Sequence, residues 1–544
     1  MSATRPLDNP RDYTFEPTAA VAASRARGRF VDCSVCHADN SEYLFHKVGV
    51  RFVRCKTCGM VYVNPTSDGG ANYFDIDKIG QFSSARDREL CVLDFAHLVE
   101  NVEKEFTRVE GHAPKRTLLV GRWLPEFAES PAAKRVGLQI VPTTDEDFRG
   151  LTGQARLDWL LARLKGEQVG LIILHEFLEA CSGADVVLER LLAALPQRAW
   201  VVATYSNAQS LPARVLRRYW PPFFNLKSAF YNTGNLTSLM WRHRMVLTSH
   251  FPVPTTQTAQ YFMGRIAPKS RLAAAVEHTP VAKLATTLRT GTHCAMFRRH
   301  TQVNQAEKLS IVFPVFNEAA YVKDVLEALI AKQVKIEKEI IVVESNSTDG
   351  TRDIVRGFEN RPGVRVLYED KPRGKGHAVR TGLRAVTGTI VLIQDADFEY
   401  DLDDYDALLE PILQRRTSFV LGSRSLGLDD WKVRRFEGNV IKRFLLNTAQ
   451  VGFAKTFNLL YQQNITDVNT MFKVFRAECI EGLNLESSGF DLDIELACKL
   501  VKNGNAPMEV PVNYVARGFD EGKKISFVRD AFPSYAAFFR YRFK

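Results

Sequence analysis

Short apolar runs alternate with longer amphipathic stretches over most of the chain. In the first half the runs are TLLVG (117–121), VGLQIV (136–141), VGLIIL (169–174) and AWVVATY (199–205), with a helical period in ADVVLERLLAAL (184–195). Strands that are apolar throughout and separated by helices belong to parallel sheets, so the pattern predicts βαβ units and an α/β class. The polar stretch HTQVNQAEK (300–308) predicts a linker. The rhythm then restarts with LSIVFPV (309–315), KEIIVVES (338–345), VRVLYE (364–369), TIVLIQDAD (389–397) and SFVLGSR (418–424). Residues 1–30 have no period and predict a mobile tail.

Composition narrows the class. The 544 residues are 45% apolar, which excludes wholesale disorder and supports several cores. No run approaches the ~20 apolar residues of a membrane span, and the candidate at 444–454 is too short. The first residues contain no apolar signal core, which argues against secretion. The net charge of +10 is regional. Residues 190–306 hold twelve Arg and three Lys against Glu277 alone, a surplus of 14, so the rest sums to 10 − 14 = −4. A nucleic-acid partner is therefore not expected; an anionic membrane surface or a docking face fits better.

Nine cysteines do not make a disulfide scaffold in so long a chain. Cys33-x2-Cys36 and Cys55-x2-Cys58 have the spacing that closes four thiolates around structural Zn²⁺, with redox dithiols as the alternative. Cys91, Cys181, Cys294, Cys479 and Cys498 stand singly and predict buried small apolar residues.

The segment CSVCHADNSEYLFHKVGVRFVRCKTCGMVYVNP resembles the zinc ribbon that precedes many class I S-adenosylmethionine-dependent methyltransferases. The likeness continues through LIILHEFLEA, AWVVATYSN and FYNTGNLTSLMWRHRMV to about residue 299, and implies a Rossmann-like domain at 65–299 after a ribbon at 31–64. Such an enzyme needs a glycine-rich turn after its first strand, where backbone approaches the cofactor. Here the strand runs into Gly121-Arg-Trp-Leu-Pro, and the second strand lacks an acidic end residue, Asp145 standing four residues beyond Val141. The expectation is a degenerate domain with a structural or binding role, S-adenosylmethionine (SAM) binding being the alternative. His175 and Glu176 are read as ordinary polar residues at a strand end, with a catalytic pair as the sharper reading.

From residue 309 to 526 the chain resembles family 2 glycosyltransferases with the GT-A fold. LSIVFPVFNEAAYV matches the first strand and helix start, and the resemblance implies that Pro314, Phe316 and Glu318 line the donor base. In KEIIVVESNSTDGT, Glu344 stands where an Asp usually meets base or ribose, followed by Asn346. PRGKGHAVRTG carries Arg373 and Lys375 toward donor phosphates. IVLIQDADFEYD places Asp395, Asp397 and Glu399 where hard oxygen ligands would hold Mg²⁺ or Mn²⁺ on the diphosphate.

FVLGSRSLGLDDWKVRRF, DVNTMFKVFR and VNYVARGFDEGKKI resemble dolichyl- or polyprenyl-phosphate sugar synthases. That likeness implies Arg424, Arg434, Arg435, Lys473, Arg517 and Lys524 as cations for donor and acceptor phosphates. Asn439, Met471 and Lys523 depart from the pattern. In FDLDIEL (490–496), Asp491, Asp493 or Glu495 is a candidate base, Asp493 foremost; an acid-rich helix start is the plain alternative.

The expected reaction is inverting transfer from a nucleotide sugar, with Asp397 and Arg424 at the reacting centre, to a polyprenyl phosphate or, alternatively, a soluble or cell-surface glycan. The expected place is the cytoplasmic face of a membrane, as a peripheral protein and possible oligomer. FVRDAFPSYAAFFRYRFK (527–544) and GNVIKRFLLNTAQVGFAKTFNLLYQQ (438–463) are the candidate contacts, and RVLRRYWPPFF (214–224) has the same composition. A terminal helix packed on its own domain is the other reading of 527–544.

Overall fold

The computed structural model describes residues 30–47, 50–65, 85–121, 124–141, 153–164, 169–181, 183–224, 227–266, 279–299, 306–426, 440–515 and 527–544. The chain divides into two compact units, residues 1–301 and 302–544. Residues 1–29, Arg122, Trp123, Asp145, Arg434, Arg435, Asn439, Arg517, Lys523 and Lys524 lie outside the described residues.

In the first unit, β1 (Ser41–Lys47), β2 (Val50–Cys55) and β3 (Val61–Val63) form an antiparallel sheet that is completed by β8 (Ala229–Phe230). A ribbon this small has no core of its own. Phe52 and Val61 are buried against Trp220, Phe223 and Phe230, so a later segment supplies the missing apolar volume. Trp220 and Phe223 of the 214–224 stretch are thus core residues, while Val215 and Tyr219 of the same stretch are exposed.

The larger sheet of this unit orders β4 (Thr117–Gly121), β5 (Leu138–Ile140), β6 (Leu171–His175), β7 (Trp200–Ser206), β9 (Met245–Pro252) and β12 (Thr292–Arg299) as β5-β4-β6-β7-β12-β9. The first four are parallel, and β12 runs antiparallel between β7 and β9. Helices α1 (Ala85–Glu110) and α2 (Ala184–Ala194) belong to this unit, and β10 (Thr255–Thr258) pairs with β11 (Ala285–Leu288) as a separate ribbon. The strand expected over 136–141 starts only at Leu138, because Val136 closes a short helix through its N–H to Ala132.

The second unit is built on β13 (Lys308–Val315), β14 (Glu337–Glu344), β15 (Val364–Tyr368), β16 (Ile390–Ile393), β17 (Phe419–Ser423), β18 (Lys473–Arg476) and β19 (Met508–Pro511). Their order is β15-β14-β13-β16-β18-β17-β19. β18 is antiparallel to β16 and β17, while the other neighbouring pairs are parallel. The chain moves outward from β13 to β14 and β15, then returns to place β16 on the other flank of β13. That reversal opens a crevice at the carboxyl ends of β13 and β16, where open α/β sheets bind ligands. Helices α3 (Val322–Ala331), α4 (Lys375–Arg384), α5 (Val440–Tyr461), α6 (Leu492–Lys502) and α7 (Phe527–Phe543) complete the unit. The fourth strand of this sheet stops at Ile393, short of the predicted 397. Gln394 makes the last backbone bond to β13, its N–H donating to the Val312 carbonyl (3.0 Å), and its side chain accepts the Tyr405 hydroxyl, so Asp395 and Asp397 stand on the following loop.

Candidate active site at the carboxyl edge of the second sheet

Two loops follow β13 and β14 and are laced together. The Asn317 N–H donates to Ser347 Oγ (3.0 Å), Glu318 N–H to Thr351 Oγ1 (2.8 Å), and Thr348 N–H to Asn317 Oδ1 (2.9 Å). Asn317 (φ 52°) and Asn346 (φ 57°) adopt the left-handed conformation that Asn tolerates better than most residues. Pro314 is buried in its strand, and Phe316 is 38% exposed beside it. Glu344 is fully buried. Its carboxylate accepts from Asn346 N–H (3.2 Å) and Ser347 N–H (2.7 Å) and pairs with Arg352 at 3.4 Å. The donor-facing role expected of Glu344 therefore competes with a loop-holding one that uses both of its oxygens.

Burial opposes ionisation of Asp349, but hydrogen bonds from the Thr351 hydroxyl and the Ala319 N–H hold it below the usual carboxylate range. After β15, on the same flank as β14, Glu369 accepts from Ser345 Oγ (2.7 Å) and lies 2.5 Å from His377 Nδ1. Nothing in the linear motifs pointed to that pair.

The loop 372–376 enters α4. A Cβ on Gly374 would lie 2.4 Å from the Ser488 carbonyl, and one on Gly376 would lie 2.7 Å from the Ser487 carbonyl. These glycines admit the protein's own backbone at 487–489, a closer reason for their presence than the phosphate approach expected from the motif. The packing aims Lys375 at the loop after β16. Its ammonium is 2.9 Å from Asp395, 4.0 Å from Asp493 and 3.1 Å from Met471 Sδ. Burial works against the Lys375 charge, and the neighbouring Asp395, Asp493 and Asp397 overcome it and hold the ammonium above its ordinary range. Burial raises Asp395, against the pull of Lys375.

Asp397 is 7% exposed and accepts the Glu399 N–H (3.0 Å); Glu399 accepts the Tyr514 hydroxyl (3.0 Å). Asp395, Asp397 and Glu399 share one loop without converging as one ligand set. Among the described residues the metal-ligating atoms that do converge are the sulfurs of Cys33, Cys36, Cys55 and Cys58, all within 4.8 Å of one another. The pairs Cys33–Cys58 and Cys36–Cys55 are each 3.5 Å apart. Four Zn–S bonds of about 2.3 Å at tetrahedral angles set sulfurs about 3.8 Å apart, so the cluster fits a zinc ion. Of the single cysteines, Cys181, Cys294, Cys479 and Cys498 are buried and Cys91 is half-buried.

Arg424 follows β17 directly and is committed to Asp467. Nε reaches one carboxylate oxygen at 2.7 Å and Nη2 the other at 2.9 Å, and the guanidinium lies over the Tyr514 ring at 5.1 Å. Burial penalises both charges, but each partner holds the other ionised, Arg424 well above and Asp467 below its ordinary range. Lys473 has no exposed surface, and its ammonium bonds the Thr470 carbonyl and stands 3.6 Å from Asp493. Burial lowers its pKa, and Asp493 and Asp467 only partly oppose this. The ammonium expected to meet a phosphate is thus directed at the Thr470 carbonyl and Asp493.

The acidic cluster at the start of α6 is sorted by direction. Glu495 is buried and accepts the Glu486 and Ser487 N–H groups at 2.8 and 2.7 Å. Asp491 takes the Ser487 hydroxyl (2.8 Å), which leaves Asp493 to face Lys375 and Lys473. Tyr514 was missed by sequence reasoning; its one signal is the position just before the VARGF stretch.

Residues 310–483 match the family model described as Glycosyl transferase family 2. A dolichyl-phosphate beta-glucosyltransferase of Dictyostelium discoideum is 30% identical over 225 residues, 38% of this chain and 66% of that one, so the match spans about two thirds of its length. An undecaprenyl-phosphate mannosyltransferase of Micrococcus luteus is 26% identical over 222 residues, 39% of this chain and 85% of that one. A solved structure of glucosyl-3-phosphoglycerate synthase from Mycobacterium tuberculosis, in complex with Mn²⁺, UDP and phosphoglyceric acid, has a TM-score of 0.33 and 19% identity over 43% of this chain and 78% of that one. A likeness that slight carries no argument. The motif order from Pro314 to Lys473, the crevice at the carboxyl edge and the family match agree: the C-terminal half of this chain is a family 2 glycosyltransferase domain.

Proposed function

We propose that this domain has the GT-A fold and moves a sugar from a nucleotide-sugar donor to a polyprenyl phosphate, with inversion at the anomeric carbon. The observation that carries the reading is the convergence of Lys375, Asp395, Asp493 and Lys473 at the carboxyl edge of the sheet, on the ladder of distances given above. The names of the two relatives above support the lipid acceptor.

The donor base lies against Pro314 and Phe316, beside Glu318 and the Glu344–Asn346 loop. Asp395, Asp397 and Glu399, although they do not converge as one ligand set here, offer hard oxygen atoms from which Mg²⁺ or Mn²⁺ would draw ligands, and the ion would neutralise charge on the departing diphosphate. Lys375 turns from its carboxylate partners to the donor phosphates. A phosphate acceptor is already an anion near neutral pH and needs no base, so orientation and cations suffice. Asp493, bracketed by two ammonium groups, then positions Lys375 and Lys473 instead of removing a proton. Arg434, Arg435, Arg517 and Lys524 are the further cations proposed for the acceptor phosphate.

For the first unit we propose a zinc-stapled scaffold or binding module at 31–299, without methyl transfer. A Cβ on Gly121 would lie 2.3 Å from the His175 carbonyl, so the single glycine of the turn is accounted for by the neighbouring strand.

The test of the transferase reading is sugar transfer from radiolabelled nucleotide sugars into organic-extractable lipid in the presence of Mg²⁺ or Mn²⁺. Transfer with at least one donor is expected; absence of a lipid product with every donor rejects the lipid acceptor.

A further inference from the structure

Among its described residues the C-terminal helix α7 packs on the domain by one face and carries further aromatic side chains outside it, with Tyr535 at the border, its ring 5.5 Å from that of Phe453 on α5. Ser534, Ala537, Phe538 and Tyr541 are buried. The Phe538 ring lies 5.5 Å from that of Phe453 on α5, and the Tyr541 hydroxyl bonds Ser487 Oγ at 2.9 Å. Tyr535, Phe539 and Phe543 are 39%, 42% and 79% exposed. At about 100° per residue these three cover an arc of about 80°, outside the buried face. Arg540 and Arg542, both exposed, fall on the two sides of that arc. The stripe continues onto α5, where the Tyr535 hydroxyl meets Thr456 (2.9 Å) and Leu459, one turn on, is 70% exposed beside exposed Lys455. At the end of α6, Lys502 is held below its ordinary range by burial, with Arg542 and Lys499 adding to the effect, which marks a concentration of positive charge at the same end of the helix.

The packing of Tyr535 on Phe453 accounts for that ring alone, and leaves the exposed Phe539 and Phe543 without a folding reason of that kind. Three large apolar side chains in register, flanked by guanidinium groups whose stems can lie along a bilayer, suit the boundary between headgroups and acyl chains. Positive charge on both flanks complements an anionic leaflet. No helix among the described residues is long and apolar enough to cross a membrane, so contact of this kind would be along the surface. The helix is also tied to the site. Ser487, which bonds Tyr541, bonds Asp491 too, and the carbonyl of its neighbour Ser488 accepts from the Gly376 N–H (2.8 Å) beside Lys375.

We infer that the outward stripe Tyr535–Phe539–Phe543, with Arg540 and Arg542, is the surface by which the protein docks on an anionic lipid bilayer. The inference deepens the lipid-acceptor reading and rests on it for its purpose, yet its test needs no lipid product. Full-length protein is floated with vesicles of phosphatidylcholine alone or mixed equally with phosphatidylglycerol. Wild type is expected to partition onto the anionic vesicles, more weakly at high salt. The double variant Phe539→Glu/Phe543→Glu is expected to lose about tenfold or more of that partitioning. Arg540→Ala/Arg542→Ala is expected to lower binding to the anionic vesicles and not to the neutral ones. Unchanged circular dichroism and melting temperature identify folded variants, and Phe539→Ala/Phe543→Ala serves if the charged pair misfolds. Wild type that ignores anionic vesicles, or variants that partition as wild type does, would overturn the inference. So would a stripe-dependent dimer in sedimentation that does not bind vesicles. Stripe-dependent vesicle binding without any lipid product leaves the docking surface standing and removes the lipid acceptor.

Discussion

The Lys375 ammonium stands 2.9 Å from Asp395, the first carboxylate of the Asp395-Ala-Asp397 motif. A cation from a helix start thus pairs with a carboxylate that we propose as a ligand of the donor's divalent ion. Lys375→Met is expected to lower kcat/KM on the order of 10²-fold and to weaken nucleoside-diphosphate binding measured by calorimetry. Wild-type affinity in that variant would remove Lys375 from the donor site.

Arg424 and Asp467 form a buried, two-pronged ion pair. Removing one partner leaves the other charge buried, so Asp467→Ala is expected to destabilise the domain by about 3–5 kcal/mol. Urea unfolding measures this; a midpoint equal to wild type would show that the pair is not structurally required.

Gly376 and Gly452 make a matched pair. A methyl group at 376 meets the Ser487 and Gly489 carbonyls at 2.7 and 2.8 Å, whereas one at 452 meets nothing within 4 Å. Gly376→Ala is expected to lower stability by about 1–3 kcal/mol and to disturb Lys375. Gly452→Ala, inside α5, is expected to be neutral or to stabilise by up to about 1 kcal/mol. Thermal unfolding of both variants decides it, and equal shifts would contradict the packing.

Burial pushes Glu509 up from 4.5 to about 7, although it accepts from Thr466 and Asp467 N–H groups. Between those pH values the folded chain binds more proton than the unfolded one, so this residue's contribution to stability falls as pH rises through about 7. The stability difference between wild type and Glu509→Gln is expected to move against wild type from pH 5 to pH 8 in urea titrations. A pH-independent difference would show that Glu509 titrates normally.

Zinc removal should act on the first unit. Cys55→Ser or strong chelation is expected to release one zinc ion per chain and to expose the Trp220 cluster, read as a red shift in tryptophan emission. Retention of stoichiometric zinc in Cys55→Ser would contradict the four-cysteine site.

Five of the seven strands in the second unit were legible to within a few residues, because a buried strand is apolar at nearly every position; the four-residue strands β18 and β19 are too short to show such a run and were not read as strands. The Cys-x2-Cys pairs were legible for a similar local reason. Neither the insertion of β18 as the antiparallel strand nor the use of β8 to finish the ribbon could be read, since a strand's partners leave no trace in its own period.

Local sequence determined the long apolar strands of both units, and in what order the carboxylates and cations of the transferase motifs follow one another. Only the tertiary structure decided that Asp493, and not Asp491 or Glu495, faces Lys375, that Lys473 is sealed inside, and that α7 packs by Phe538 while presenting Phe539. The physical reason is direction. Neighbours in sequence diverge by about 100° around a helix, and which of them meets a charge or water is set by elements packed from elsewhere in the chain.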